Sequence, residues 1–329
     1  MGKSSRIKKA RKAEKVEKVA AAKKTFPSKL FIGIFVAALV IGMIVLKVNV
    51  YQQIEAKRVL AWDKDRILSS PEKSLKYAQV VLRELMTLIP EEVLDDSGNG
   101  YSGQVTIRAW IEAIVETKLS QQVGLIVQAK ELALKGEPIE LEWMPDRHVI
   151  PTEIPEKYKK MIEDRQRLHV RYVQDTQPEI VFAEALHIGR ISRQRLLQDL
   201  KDTLKVAGEM KSDAEVAKIN QERSKDFWWR VFLDKERPKI FGIEDRDIVA
   251  LGTFIILINH EQVRSDTLSD LSSEFQYYWR EQIILSNIIS TLRQEGAHKA
   301  ALVFGEDHMN TFPRLCKLWG VKLKIAGRA

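Results

Sequence analysis

One cysteine, Cys316, stands in 329 residues. That excludes an internal disulfide framework and a zinc site built from thiolates, and it leaves the redox compartment open. Neither a Walker phosphate loop nor Gly-x-Ser-x-Gly occurs, so the NTP-binding and serine-hydrolase readings lack the turns their chemistry is built on. There is no internal repeat, and no low-complexity tract beyond the first 29 residues. What is present is ordinary for a folded chain: 45% apolar and 30% charged residues, with room for one large domain or two small ones.

Excess charge is also missing from most of the chain. The formal net charge is +8, yet residues 1–29 hold 11 Lys or Arg against 2 Glu, and the remainder holds 42 basic against 43 acidic residues. The basic character therefore belongs to a short tail. A nucleic-acid-binding domain would carry a basic stripe on its folded body, so nucleic acid is not an expected partner of the domain. The tail alone has the charge to touch nucleic acid or anionic lipid.

Residues 30–46, LFIGIFVAALVIGMIVL, carry no charge. At about 1.5 Å per residue the run reaches roughly 25 Å, near the lower limit for a bilayer core. Lys47 can snorkel and Tyr51 sits where an interfacial aromatic would, which extends the span to about residue 50. No A-x-A site follows, and the preceding basic region is long, so the pattern predicts an uncleaved anchor rather than a cleaved signal peptide. The Lys/Arg bias puts the N-terminus in the cytoplasm and the rest in the periplasm or an equivalent compartment. The lipid bilayer is thus the first expected partner. Gly33-x-x-x-Ala37 and Ala38-x-x-x-Gly42 are small-residue pairs of the kind that let two spans approach as a homodimer.

Beyond the span, residues 51–137 read as a helical stalk or membrane-proximal region with the capacity to bind a protein partner. Ser69-x-x-Glu72 reads as a capping box with Pro71 in the first turn, Pro90 as a stop, and Gly136 as a C-cap. After Pro138 the pattern changes to strands alternating with helices. Strands are predicted at 139–144, 179–183, 239–243, 300–304 and, as an edge, 321–325, with helices between them. That alternation predicts an α/β domain over 138–329 with a mostly parallel sheet and flanking helices.

Open parallel sheets place their sites at the carboxyl ends of strands. Polar residues gather there: His148, Glu184, Glu244 with Asp245, and Glu306, Asp307 and His308. If the strands are neighbours, these ends share one rim, and imidazole with carboxylate suits a divalent metal such as Zn, Mn, Co or Fe. The alternative is plain capping, since strand-to-helix turns favour Asp and Glu on electrostatic grounds alone. His169, His187, His260 and His298 fall in or beside helical stretches and read as structural. Trp228-Trp229 reads as core or as a lipid-headgroup contact.

Three segments resemble a known family. Trp279-Arg280-Glu-Gln-Ile-Ile-Leu-Ser-Asn287 is similar to an Arg-bearing late helix. Ala301-Leu-Val-Phe-Gly305-Glu-Asp-His308, followed by Leu318-Trp-Gly320, is similar to a Gly-x-x-His motif. Pro178-Glu-Ile-Val-Phe-Ala-Glu184 is similar to an acidic strand end. Together they resemble the TraB/Tiki superfamily, which takes in GumN-like, ChaN-like and erythromycin-esterase-like proteins. The resemblance covers residues 139–325. It implies a metal-dependent hydrolase, peptidase or esterase-like, with His148, His308 and Glu184 as metal ligands and Glu184 and Arg280 as catalytic groups. Pro145 stands where the first Gly-x-x-His motif expects Gly. The expectation is therefore a membrane-anchored hydrolase, with a catalytically inactive scaffold or receptor as the alternative that Pro145 and the extra helices favour.

Overall fold

In this computed structural model the described residues are 28–96, 105–146, 156–206, 212, 214–218, 232 and 237–326. Trp228-Trp229 and His148 lie outside them. The chain forms two compact units, Met1–Arg58 and Val59–Ala329. The first is dominated by α1, Ser28–Leu60. Among the described residues no helix is long and apolar enough to cross a membrane. The side chains of 28–40, which include most of the uncharged run, lie outside the described set.

The second unit opens with helices α2 (Lys64–Leu68), α3 (Pro71–Leu88), α4 (Glu91–Leu94) and α5 (Ile107–Ala113). A π turn at Ile114–Lys118 then leads into α6 (Leu119–Leu134). Three of these starts have a side-chain cap. Asp63 Oδ1 accepts from the Arg66 N–H at 2.8 Å, and Thr106 Oγ1 accepts from that of Ala109 at 3.2 Å. The cap of α3 is Ser70, whose Oγ accepts from the Lys73 N–H at 3.2 Å, and not Ser69 as the capping-box spacing suggested. Pro71 takes the first helical position and so fixes the cap one residue before itself. Ile89 leaves the helix in an extended conformation ahead of Pro90. Gly136 follows α6 at φ +80, as a C-terminal glycine should.

The sheet contains β1 (Glu140–Asp146), β2 (Ile180–His187), β3 (Gly189–Arg190), β4 (Lys239–Glu244), β5 (Lys299–Gly305) and β6 (Lys322–Ile325). Helix α7 (Glu156–Thr176) joins β1 to β2, and α8 (Arg193–Val206) follows β3. Between β4 and β5 come α9 (Arg246–Ile258), a π turn (Asn259–Val263), α10 (Asp266–Phe275), a π turn (Gln276–Arg280) and α11 (Glu281–Gln294). A 3-10 turn (Glu306–Asn310) and α12 (Phe312–Leu318) join β5 to β6.

The strand order is β3-β4-β2-β5-β1-β6. Every described pairing is parallel except that of β3 with β4. The chain runs outward from β1 to β2 to β4, then returns to insert β5 between β1 and β2. All five expected strands are present, and the α/β fold class is as the alternation predicts.

The helices before residue 138 are not a separate stalk. Helix α6 packs along α11, and α3 packs along α10. Trp279 Nε1 donates to Gln122 Oε1 at 2.8 Å, and Gln122 Nε2 donates to Asp245 Oδ2 at 3.1 Å. Tyr77 meets Tyr278 edge-on at 5.6 Å and donates to Glu274. These buried polar contacts join the helices to the α/β layer, so the boundary expected at 137/138 falls inside one compact unit.

Pro145 lies inside β1 opposite Phe304. The carbonyls of Ile139 and Trp143 face β6, accepting from the Lys322 and Ala326 N–H groups. Pro145, two residues beyond Trp143, turns the same way, past the point where the β1–β6 ladder ends at Ile325. Its missing N–H therefore costs no ladder bond there.

Candidate functional site

Strands β4, β2 and β5 are adjacent and parallel, so their carboxyl ends do share a rim. Glu184 sits where the β2–β4 register shifts, between Ala183 and His187. Such an irregularity re-aims the side chains next to it. It requires Gly242 on β4, because a Cβ there would lie 2.0 Å from the His187 carbonyl oxygen and 2.5 Å from that of Leu186. Glu244 is the last residue of β4. Arg280 ends the π turn before α11, a device that often marks functional positions in helices.

Those three side chains form one buried ion cluster. Arg280 Nη2 donates to Glu184 Oε1 at 2.8 Å and to Glu244 Oε1. Its Nε donates to Glu244 Oε2 at 3.2 Å, and its Nη1 donates to Gln276 Oε1 at 3.1 Å. Glu184 Oε2 accepts from the Gly305 N–H at 2.6 Å. Burial works to lower the Arg280 pKa, but the Glu244 and Glu184 carboxylates outweigh it and hold the guanidinium more firmly charged than usual. Gly252 on α9 makes room for Gln276, whose Nε2 would stand 2.1 Å from a Cβ at that position.

His308 is delivered by the 3-10 turn directly after β5, and its ring stacks on Phe304 at 4.1 Å. Its Nδ1 lies 2.6 Å from Glu281 Oε1, which also accepts from the Thr311 hydroxyl. Its Nε2 lies 3.8 Å from Glu184 Oε1. Glu281 is 1% exposed. Burial pushes its carboxyl up, while the His308 and Thr311 hydrogen bonds and the Arg280 charge pull it back without cancelling the rise.

A cavity of about 220 Å³ opens beside the cluster, with Gln276, Tyr277, Arg280, Asp307 and His308 on its polar wall and Val249 and Ile256 on its apolar one. Tyr277 presents its ring edge-on to His308 at 5.9 Å.

Of the four residues singled out in the sequence, the structure brings Glu184, Arg280 and His308 together, while His148 lies outside the described residues. Asp245 is a helix cap, accepting from the Asp247 and Ile248 N–H groups. Glu306 pairs with Arg165 at 2.8 Å. These two are the capping and surface-charge alternatives realised. Glu281, Gln276 and Tyr277 escaped sequence reasoning. The one signal for Glu281 was a lone carboxylate entering the apolar stretch of α11.

Among the described residues no group of three or more His, Cys, Asp or Glu side chains is arranged to hold a metal ion. Both Glu184 oxygens are engaged, and the Arg280 guanidinium already supplies the positive charge between Glu184 and Glu244. His148, the third ligand that the resemblance implies, lies outside the described residues. No family model matches the chain, and no curated protein or solved structure matches it either.

Proposed function

We propose that this protein is a membrane-anchored hydrolase of ester- or amide-like substrates, with His308 as general base and Glu281 as the carboxylate that orients it. The observation that carries this reading is the buried Nδ1–Glu281 contact of 2.6 Å on a histidine that lines a cavity. With Nδ1–H held by a carboxylate, the lone pair is on Nε2, and an imidazolium formed there is stabilised by Glu281. The 3.8 Å gap between Nε2 and Glu184 Oε1 lets one water donate to both, which aims its oxygen lone pair at a bound acyl carbon. Water adds to that carbon as Nε2 takes its proton. Collapse of the adduct then breaks the bond to the leaving group, which takes the proton back, so acid and alcohol or amine leave together.

No step is routed through a metal. Arg280 holds Glu184 in place. This differs from the expected role of stabilising developing negative charge, because four of its five N–H groups are already committed. The TraB/Tiki resemblance supports the same site, since Glu184, Arg280 and His308 are the positions it carries over. Anchoring rests on the uncharged run at 30–46. It is supported by the exposed Ile41, Met43, Ile44, Val45 and Leu46 of α1, an apolar surface that needs a cover.

One observation favours the alternative, a catalytically silent scaffold: two carboxylates and a guanidinium that satisfy one another form a stable buried cluster without any substrate. Hydrolysis of a series of p-nitrophenyl acyl esters by the detergent-solubilised full chain separates the two. Turnover that survives EDTA and falls about 10²–10⁴-fold in His308→Ala is expected for a general base. Rates identical in wild type and His308→Ala would leave the scaffold.

A further inference from the structure

If Arg280 is spent on Glu184, Glu244 and Gln276, acyl chemistry at His308 needs another donor for the oxygen that becomes negative. Tyr277 is placed for it. It follows Gln276 in the π turn and shares the cavity wall with His308. Its ring stands at 86° to the imidazole with centroids 5.9 Å apart, so the two side chains border the same space. Among the described residues no hydrogen bond to its hydroxyl is formed, in contrast to Tyr77 and Tyr172, which donate to Glu274 and Glu142. Burial, then the Asp307 and Glu281 carboxylates, push the Tyr277 phenol above its ordinary value. It therefore stays protonated, a donor, at neutral pH.

We propose that Tyr277 is a catalytic residue whose phenolic O–H donates to the carbonyl oxygen of an acyl group attacked beside His308 Nε2. This rests on the hydrolase reading for its biological use, but not for its test. In the attack the carbonyl π pair moves onto oxygen, and the Tyr277 O–H holds that charge without giving up its proton. On collapse the pair returns and the hydrogen bond relaxes. The site then takes neutral acyl substrates small enough for a 220 Å³ cavity, and the surplus carboxylate charge around it disfavours anionic ones.

Diethyl pyrocarbonate tests this without a natural substrate. An unprotonated imidazole nitrogen attacks one of its carbonyl carbons, an N–C bond forms, the C–O bond to the bridging oxygen breaks, and ethyl carbonate leaves. The adduct on the peptide bearing His308 is followed by mass spectrometry in the full chain, with the half-exposed His298 as internal control. Tyr277→Phe is expected to slow modification of His308 about tenfold or more. It should leave the rate at His298, the midpoint of the pH–rate profile and the melting temperature unchanged. Tyr277→Gln, which restores a donor, should recover part of the rate.

A His308 rate within twofold of wild type in Tyr277→Phe overturns the proposal. So does a wild-type His308 that is not modified, or a loss of rate shared equally by His298. If Tyr277→Phe unfolds the chain, a Tyr277→Gln rate at or below one-tenth of wild type with the fold intact overturns it as well. A silent ester screen combined with a Tyr277-dependent adduct removes the hydrolase reading and keeps the donor. Active hydrolysis with a Tyr277-independent adduct does the reverse.

Discussion

The chemistry at the rim depends on one carboxylate that the surrounding protein makes uncomfortable. Glu281 is buried, and its carboxyl is raised above the usual range chiefly for that reason. The folded state therefore holds a proton at this position more tightly than the unfolded chain does. Between the unfolded value near 4.3 and the raised folded value, stability falls as pH rises. Relative to Glu281→Gln, the wild type should lose stability on going from pH 4 to pH 7, read as the difference in urea midpoints at the two values. A difference that stays constant would show that Glu281 has no raised carboxyl. None of this was legible in the sequence. Arg280 and His308 stood out through motif context, but a buried Glu is recognised only by what surrounds it, and His308 and Thr311 reach it from the turn after β5.

Among the elements, the strands were legible and their order was not. Apolar runs such as 300–304 and alternation such as 139–144 reflect burial on two faces or one, and all five appear within a few residues of their expected limits. Nothing local in Lys299–Gly305 says that it inserts between two strands made much earlier. The π turns were equally silent, because one extra residue in a helix leaves no periodic mark over so short a stretch. The β2 irregularity is visible only as Gly242 in an otherwise apolar strand. Gly242→Ala should destabilise the protein by roughly 1–3 kcal/mol, since the displaced atoms are backbone and cannot rotate away. Gly124→Ala makes the matched control. Gly124 sits in α6 with nothing within 4 Å of its Cβ position, so alanine should stabilise by up to about 1 kcal/mol. Chemical denaturation of both variants checks the pair, and a neutral Gly242→Ala would contradict the bulge geometry.

For the whole molecule, composition foresaw a basic tail, an apolar run and an α/β body, but it divided the body in the wrong place. Gln122, Tyr77 and the α6–α11 contact tie the early helices to the later ones through buried hydrogen bonds, which amphipathic patterns do not reveal. Residues 138–329 alone would leave Trp279 Nε1 and Asp245 without Gln122 and expose the α6-facing side of α11. That fragment is expected to be rapidly digested by protease at concentrations that leave 59–329 intact. Equal resistance of the two would restore the boundary at 137/138.

The late arrival of β5 sets an order of assembly. As the chain leaves the ribosome, β1, β2 and β4 exist before the strand that belongs between two of them. Until Lys299–Gly305 emerges, β1 and β2 each present an unpaired inner edge, which is a template for pairing with other chains. A stop codon anywhere before residue 299 would yield a product with a split sheet and open edges, a species prone to aggregation rather than a shorter version of the fold.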